Sequence, residues 1–136
     1  MLVIDASVAV KWFVEQDASP EARALGGPSA VSIAPDLVLA EIASALWKYV
    51  RAAILTEDTA KAMLAHAPSA FSRLVPLEEL LASAFELSLA MPHPIYDCFY
   101  LALARRENIP LVTADRPLAA AAISLSNVEV RLIGGQ

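Results

Sequence analysis

The chain is short of the residues that hold small stapled or metal-bound domains together. It has a single cysteine, Cys98, so neither a disulfide framework nor a thiolate zinc cluster can be drawn, and a reducing compartment is expected. Its two histidines, His66 and His93, are too few and too badly placed for zinc; His93 stands between two prolines and reads as a turn residue. No uninterrupted apolar run approaches the roughly 20 residues of a membrane span. Met1 leads straight into Leu2, Val3, Ile4 and Asp5 with no basic-then-apolar leader, so a soluble, cytoplasmic protein is expected. Internal repeats, linkers and low-complexity stretches are lacking. Positive charge is scarce too: 10 lysines and arginines face 15 acids, a net charge of −5. That balance is unusual for a nucleic-acid binder, because phosphate contacts carry much of the affinity. Such a partner would need local positive charge, from a divalent metal or from a dimer groove lined by arginines.

What is present fits one domain spanning 1–136, long enough to bury roughly two-thirds of its unfolded surface. Hydrophobic residues make up 57% of the chain, many of them alanine, and the apolar surplus points to a homodimer. Leu2–Ile4 reads as a short buried strand and Ala6–Val14 as a helix. Ser19-Pro20-Glu21 opens a second helix that Gly26-Gly27 stops. Strands are predicted over Ala30–Ile33, ended by Pro35, and over Arg73–Pro76, Ile109–Val112 and Val128–Val130, the last near an edge. Helices are predicted over Asp36–Val50, from a Thr56 cap to His66, and over Glu78–Met91, Ile95–Arg106 and Arg116–Ala122. Alternation of this kind implies crossover units: an α/β/α three-layer fold around a central, mostly parallel sheet of four to five strands.

Four acids stand beside apolar elements: Asp5, Glu41, Asp97 and Asp115. Asp5 follows the first strand, at the carboxyl end of the sheet where open α/β folds place their sites, and reads equally well as a helix N-cap. Glu41 has Leu37, Val38, Ser44 and Ala45 at helical spacing and no cation, so it is either an exposed glutamate or one that must find a donor elsewhere. Asp97 is the only charge between Ile95 and Arg105. A first-turn dipole contribution of about 0.3–1 kcal/mol is too small to keep it there, which favours a functional role. Asp115 before Arg116-Pro117 is an ordinary helix start. Taken together, these acids could meet in one cleft, where they could not all stay ionised without counter-charge, and hard oxygen donors select magnesium or manganese.

The phrases Val3-Ile4-Asp5-Ala6-Ser7, Ala40-Glu41-Ile42, Tyr96-Asp97-Cys98-Phe99-Tyr100-Leu101-Ala102 and Thr113-Ala114-Asp115-Arg116 resemble VapC-type PIN domains over essentially the whole chain. The resemblance implies a PIN-like fold and a magnesium-dependent endoribonuclease, the toxin of a type II toxin–antitoxin pair. Asp5, Glu41, Asp97 and Asp115 would be catalytic metal ligands, with manganese able to replace magnesium. Ser7 and Thr113 would support them. A metal-activated water would attack an RNA phosphodiester and leave 5′-phosphate and 3′-hydroxyl ends. Homodimers are implied as well, with a cognate antitoxin whose tail blocks the cleft. In one departure, Pro117, Leu118 and Ala119 stand where many relatives carry a further acid, so a second metal would bind weakly or only with substrate phosphate.

Arg116 and Lys11 are candidate phosphate contacts, equally readable as solvated surface, and Arg105 and Arg106 suit a helix C-terminus. Trp12, Phe13, Trp47 and Tyr49 could stack on bases, but such side chains more often pack. Cys98 reads as a buried small hydrophobe. Two other readings compete. A catalytically silent PIN-like module would keep the fold without needing the acids. A phosphoaspartyl phosphatase or receiver domain would use Asp5, although Ser7 and Ile4 stand where those classes carry an additional acid.

Overall fold

The structure, a computed structural model, describes residues 1–24, 31–125 and 127–134. Five short strands form one sheet: β1 (Leu2–Ile4), β2 (Ser32–Pro35), β3 (Arg73–Val75), β4 (Leu111–Thr113) and β5 (Val130–Leu132). Their order is β3-β2-β1-β4-β5 and every pairing is parallel. The helices are α1 (Ala6–Phe13), α2 (Ser19–Arg23), α3 (Leu37–Arg51), α4 (Glu57–His66), α5 (Leu77–Ala90), α6 (Ile95–Glu107) and α7 (Arg116–Ala122), with a 3-10 turn at Ala67–Ala70.

The strand order explains the layers. The chain steps outward from β1 to β2 and β3, then returns past β2 and β1 to β4 and continues to β5. Right-handed crossovers in opposite directions put the intervening helices on opposite faces. Accordingly α1 packs on α2 and α3, while α6 packs on α5 and lies over β1, β2 and β4. The reversal of direction falls between β1 and β4, and in open α/β sheets the crevice at such a switch point is where ligands bind.

Val3, Ile4, Ile33, Ala34, Leu111 and Val112 are buried, as expected of inner strands covered on both faces. On α6 every side chain from Cys98 to Ala104 is buried, so this helix is central. Cys98 is one of them and behaves as a small hydrophobe. Thr56 caps α4 as expected, accepting from the Thr59 N–H at 3.2 Å.

Three strands sit about two residues later than their sequence patterns predict, for local reasons. Ile109 belongs to the turn that ends α6: its N–H donates to the Ala104 carbonyl at 3.1 Å after Asn108 takes a left-handed conformation, φ 55°. Pro35 is part of β2 rather than its terminator. It pairs with Val75 of β3, and the register with β1 stops at Ile33, so its missing N–H breaks no bond on that side. At the far edge, Val128 is still in a turn, its N–H reaching the Leu125 carbonyl at 3.4 Å. The predicted Gly26-Gly27 stop and Ala30 lie outside the described residues.

Two apolar surfaces face outward. Leu81, Phe85 and Leu89, four residues apart on α5, are all exposed. On α3, Trp47 is 60% exposed with Arg51 5.4 Å over its ring, so of the core or interface packing expected for the large aromatics it does not take the core. Trp12 does pack, against Phe71 at 5.4 Å, and its indole N–H donates to the Ala22 carbonyl. No helix among the described residues is long and apolar enough to cross a membrane.

Candidate active site

Asp5 follows β1 directly and is 5% exposed. Its backbone carbonyl starts α1, but its side chain makes no capping bond. Instead Oδ2 accepts two hydroxyls: Ser7 Oγ at 2.6 Å and Thr113 Oγ1 at 2.8 Å. Those hydroxyls are themselves fixed, Ser7 Oγ by the Ala114 N–H at 3.0 Å and Thr113 Oγ1 by the Asp115 N–H at 3.0 Å. A short network thus ties the end of β1 to the end of β4 across the switch point. Asp5 stands at the N-cap position of α1 but gives it no side-chain bond, whereas Asp115 does cap α7, its Oδ1 accepting from the Leu118 N–H at 3.1 Å. Only one Asp115 oxygen is used in that way.

The other two acids arrive from opposite layers. Glu41 lies on α3 and Asp97 in the first turn of α6. Glu41 finds its donor in Tyr100, which is fully buried and donates to Oε1 at 2.5 Å. Asp97 Oδ2 lies 2.7 Å from His93 Nε2. Neither partner figured among the sequence candidates. Tyr100 had a signal, since it stands three residues after Asp97 on the same helix face. His93 is the turn residue expected from its prolines, and it stands four residues before Asp97, a spacing at which side chains can meet.

Among the described residues no lysine or arginine pairs with any of the four acids, whereas Glu15, Glu79, Glu107 and Glu129 each hold an arginine. Burial pushes the Asp5 carboxyl above its ordinary range; the Ser7 and Thr113 hydroxyls oppose this, and the charges of Asp97 and Asp115 add to it. Burial likewise pushes Glu41 up to about 7, against the Tyr100 hydrogen bond and together with the charges of Asp5 and Asp97. The acids therefore feel one another, with Asp5 as the common member. Three helices, α1, α6 and α7, begin at or next to one of these acids, and their partial positive ends supply part of the missing counter-charge.

The donors are carboxylate and hydroxyl oxygens, the chemistry that magnesium and manganese select. Among the described residues no three acidic, histidine or cysteine side chains close into a cage by themselves. The fit to magnesium or manganese therefore rests on the chemistry of these oxygen donors and not on a closed cage.

The remaining candidates lie elsewhere. Lys11 Nζ donates to the Asp17 carbonyl at 2.8 Å, in the connection between α1 and α2. Arg116 is exposed and lines a cleft of about 610 Å³ between α7 and β5 whose lining contains none of the four acids. A second cleft, of about 560 Å³, runs between α1 and α3 and includes Ser7 and Glu41 in its wall.

A parallel α/β/α sheet with mutually interacting acids, none of them held by lysine or arginine among the described residues, defines the class, and comparison with known proteins supplies the family. The PIN domain family model matches residues 2–123. Ribonuclease VapC3 of Pyrobaculum aerophilum is 35% identical over 120 residues, covering 87% of this chain and 92% of that one. Among solved structures, VapC20 of Mycobacterium tuberculosis, described as a sarcin–ricin loop cleaving toxin, superposes with a TM-score of 0.70 at 20% identity, over 96% of this chain and 99% of that one. A chain of a toxin–antitoxin complex from Klebsiella pneumoniae does so at 0.64 and 15% identity, over 94% and 95%. At those identities the structural likeness is one of fold. The chain belongs to the PIN-domain family, among the VapC-type ribonucleases.

Proposed function

We propose that the chain is a magnesium-dependent endoribonuclease, the toxin of a type II toxin–antitoxin pair, and that Asp5, Glu41, Asp97 and Asp115 hold the metal, with manganese able to replace it. The observation that carries this reading is the absence, among the described residues, of any lysine or arginine partner for buried Asp5 and the three acids whose charges interact with it. Carboxylates so placed are costly unless a cation joins them. A bound divalent ion supplies Lewis acidity and an activated water for in-line attack on a phosphodiester.

The chain's own residues prepare that chemistry. Ser7 and Thr113 hold one Asp5 oxygen, leaving the other without a hydrogen-bond partner in the described structure. Tyr100 fixes Glu41 and favours its ionised form, and Asp115 is held in place by its cap on α7. Purified protein is expected to cleave single-stranded RNA in magnesium, to stop in EDTA and to recover when magnesium is restored. Equal cleavage in EDTA would reject the mechanism. If the protein binds neither magnesium nor manganese with RNA present, the silent-module reading replaces it.

Membership among the VapC-type ribonucleases supports an antitoxin as partner. The α5 stripe of Leu81, Phe85 and Leu89, exposed by 55%, 58% and 67%, supports a homodimer. Light scattering is expected to give a dimer for the parent and a monomer for Phe85→Glu; a monomeric parent would remove the proposal.

A further inference from the structure

The cleft between α1 and α3 runs past the acidic site. Glu41, Ser44, Ala45 and Lys48 share one face of α3, with Ala52 just past its end, and Ala6, Ser7 and Val10 of α1 form the opposite wall. Small side chains on both helices leave the space between them unfilled. Glu41 belongs to the acidic site, and Lys48 lies two turns further along, about 10 Å down the helix axis.

Lys48 differs from the four arginines that glutamates hold. Arg23, Arg73, Arg106 and Arg131 are each tied to a glutamate. Lys48 is exposed, and among the described residues it has no carboxylate partner. A chain of net charge −5 attracts a polyanion only through local features of this kind. A free ammonium in the same trough as the acids is complementary to a strand that places one phosphate at those acids and another further along.

We propose that the trough between α1 and α3 is the track for the RNA strand flanking the cleavage point, and that Lys48 binds a neighbouring phosphate, not the one that is cut. This rests on the endoribonuclease reading and deepens it. Lys48 acts on binding and not on the chemical step, so its loss belongs in KM and not in kcat.

The test uses a fluorescein-labelled single-stranded RNA, with cleavage followed in magnesium and binding followed by anisotropy in calcium. Lys48→Ala is expected to raise KM and the dissociation constant about tenfold, the size of one charge-assisted hydrogen bond. kcat should stay within a factor of about two. The slope of log affinity against log salt should fall by about 0.7, one phosphate contact on a single strand. Lys48→Glu should be worse and Lys48→Arg near the parent. Lys61→Ala, on α4, should change nothing. If the parent binds RNA without cutting it and Lys48→Glu abolishes binding, Lys48 is an RNA contact but the nuclease reading falls, and the flanking-strand track falls with it. If the parent cuts RNA and Lys48→Glu keeps its affinity and salt slope, the nuclease reading stands and the track is wrong. A parent that does not bind RNA at all overturns both.

Discussion

Asparagine at position 5 is expected to abolish RNA cleavage and, in the same protein, to raise the melting temperature of the metal-free chain. Both effects have one cause. Asp5 is buried, its carboxyl is held above the ordinary range by that burial, and among the described residues no lysine or arginine pairs with it. Replacing an unpaired buried charge by a neutral group of the same shape is stabilising by about 1–3 kcal/mol, which for a domain of this size is about 3–10 °C. The Asn carbonyl can still accept from Ser7 and Thr113, so the network across the switch point survives. The loss of activity should exceed the roughly 10–100-fold typical of residues that only orient a metal ligand. Calorimetry and a cleavage assay on one preparation check this. A variant that is inactive and also less stable than its parent would contradict the assignment of Asp5 as a strained ligand.

Metal-free protein is expected to lose stability as pH rises from about 4.5 to about 7, and divalent metal to restore it. Glu41 is raised from 4.5 to about 7 in the folded chain. Between those values the folded state keeps a proton that the unfolded state has released, so the free energy of unfolding falls with pH. Asp5 is shifted in the same direction. Glu107 is shifted the opposite way by Arg73, but it acts below its ordinary range and outside this window. A cation that binds the ionised acids must displace these protons, so its stabilisation grows with pH. Melting curves in EDTA and in manganese at pH 5 and pH 8 should show a metal increment that is larger at pH 8. An increment independent of pH would mean that the metal binds elsewhere.

Much of the site is legible in the sequence because strand ends and helix starts are written locally. Asp5 and Asp115 follow apolar strand runs, and in a parallel sheet such positions face the same edge. Glu41 and Asp97 stand out as charges without cationic neighbours on apolar helices. Local pattern does not say which use an acid serves. Both aspartates at strand ends read as N-caps; Asp115 caps with its side chain, whereas Asp5 turns its own to the hydroxyls of Ser7 and Thr113. Tyr100 was missed because packing chooses its partner: a phenol from one layer meets a glutamate from the other, whereas His93, four residues before Asp97, had a local spacing that its prolines masked. The strand shifts at Pro35 and Ile109 have the same origin, since pairing register and a helix-ending turn override apolar pattern. Trp47 is exposed at the rim of a shallow cleft between α3 and α4.

The account depends most on the four carboxylates acting as one cation site. Manganese titrated into metal-free protein at pH 7.5, with the free ion counted by its paramagnetic resonance signal, tests that claim directly. Saturable binding in the parent, weakened in each of Asp5→Asn, Glu41→Gln, Asp97→Asn and Asp115→Asn while Glu129→Gln stays like the parent, is the predicted result. A parent that takes up no manganese, or four variants that bind it as the parent does, would contradict it.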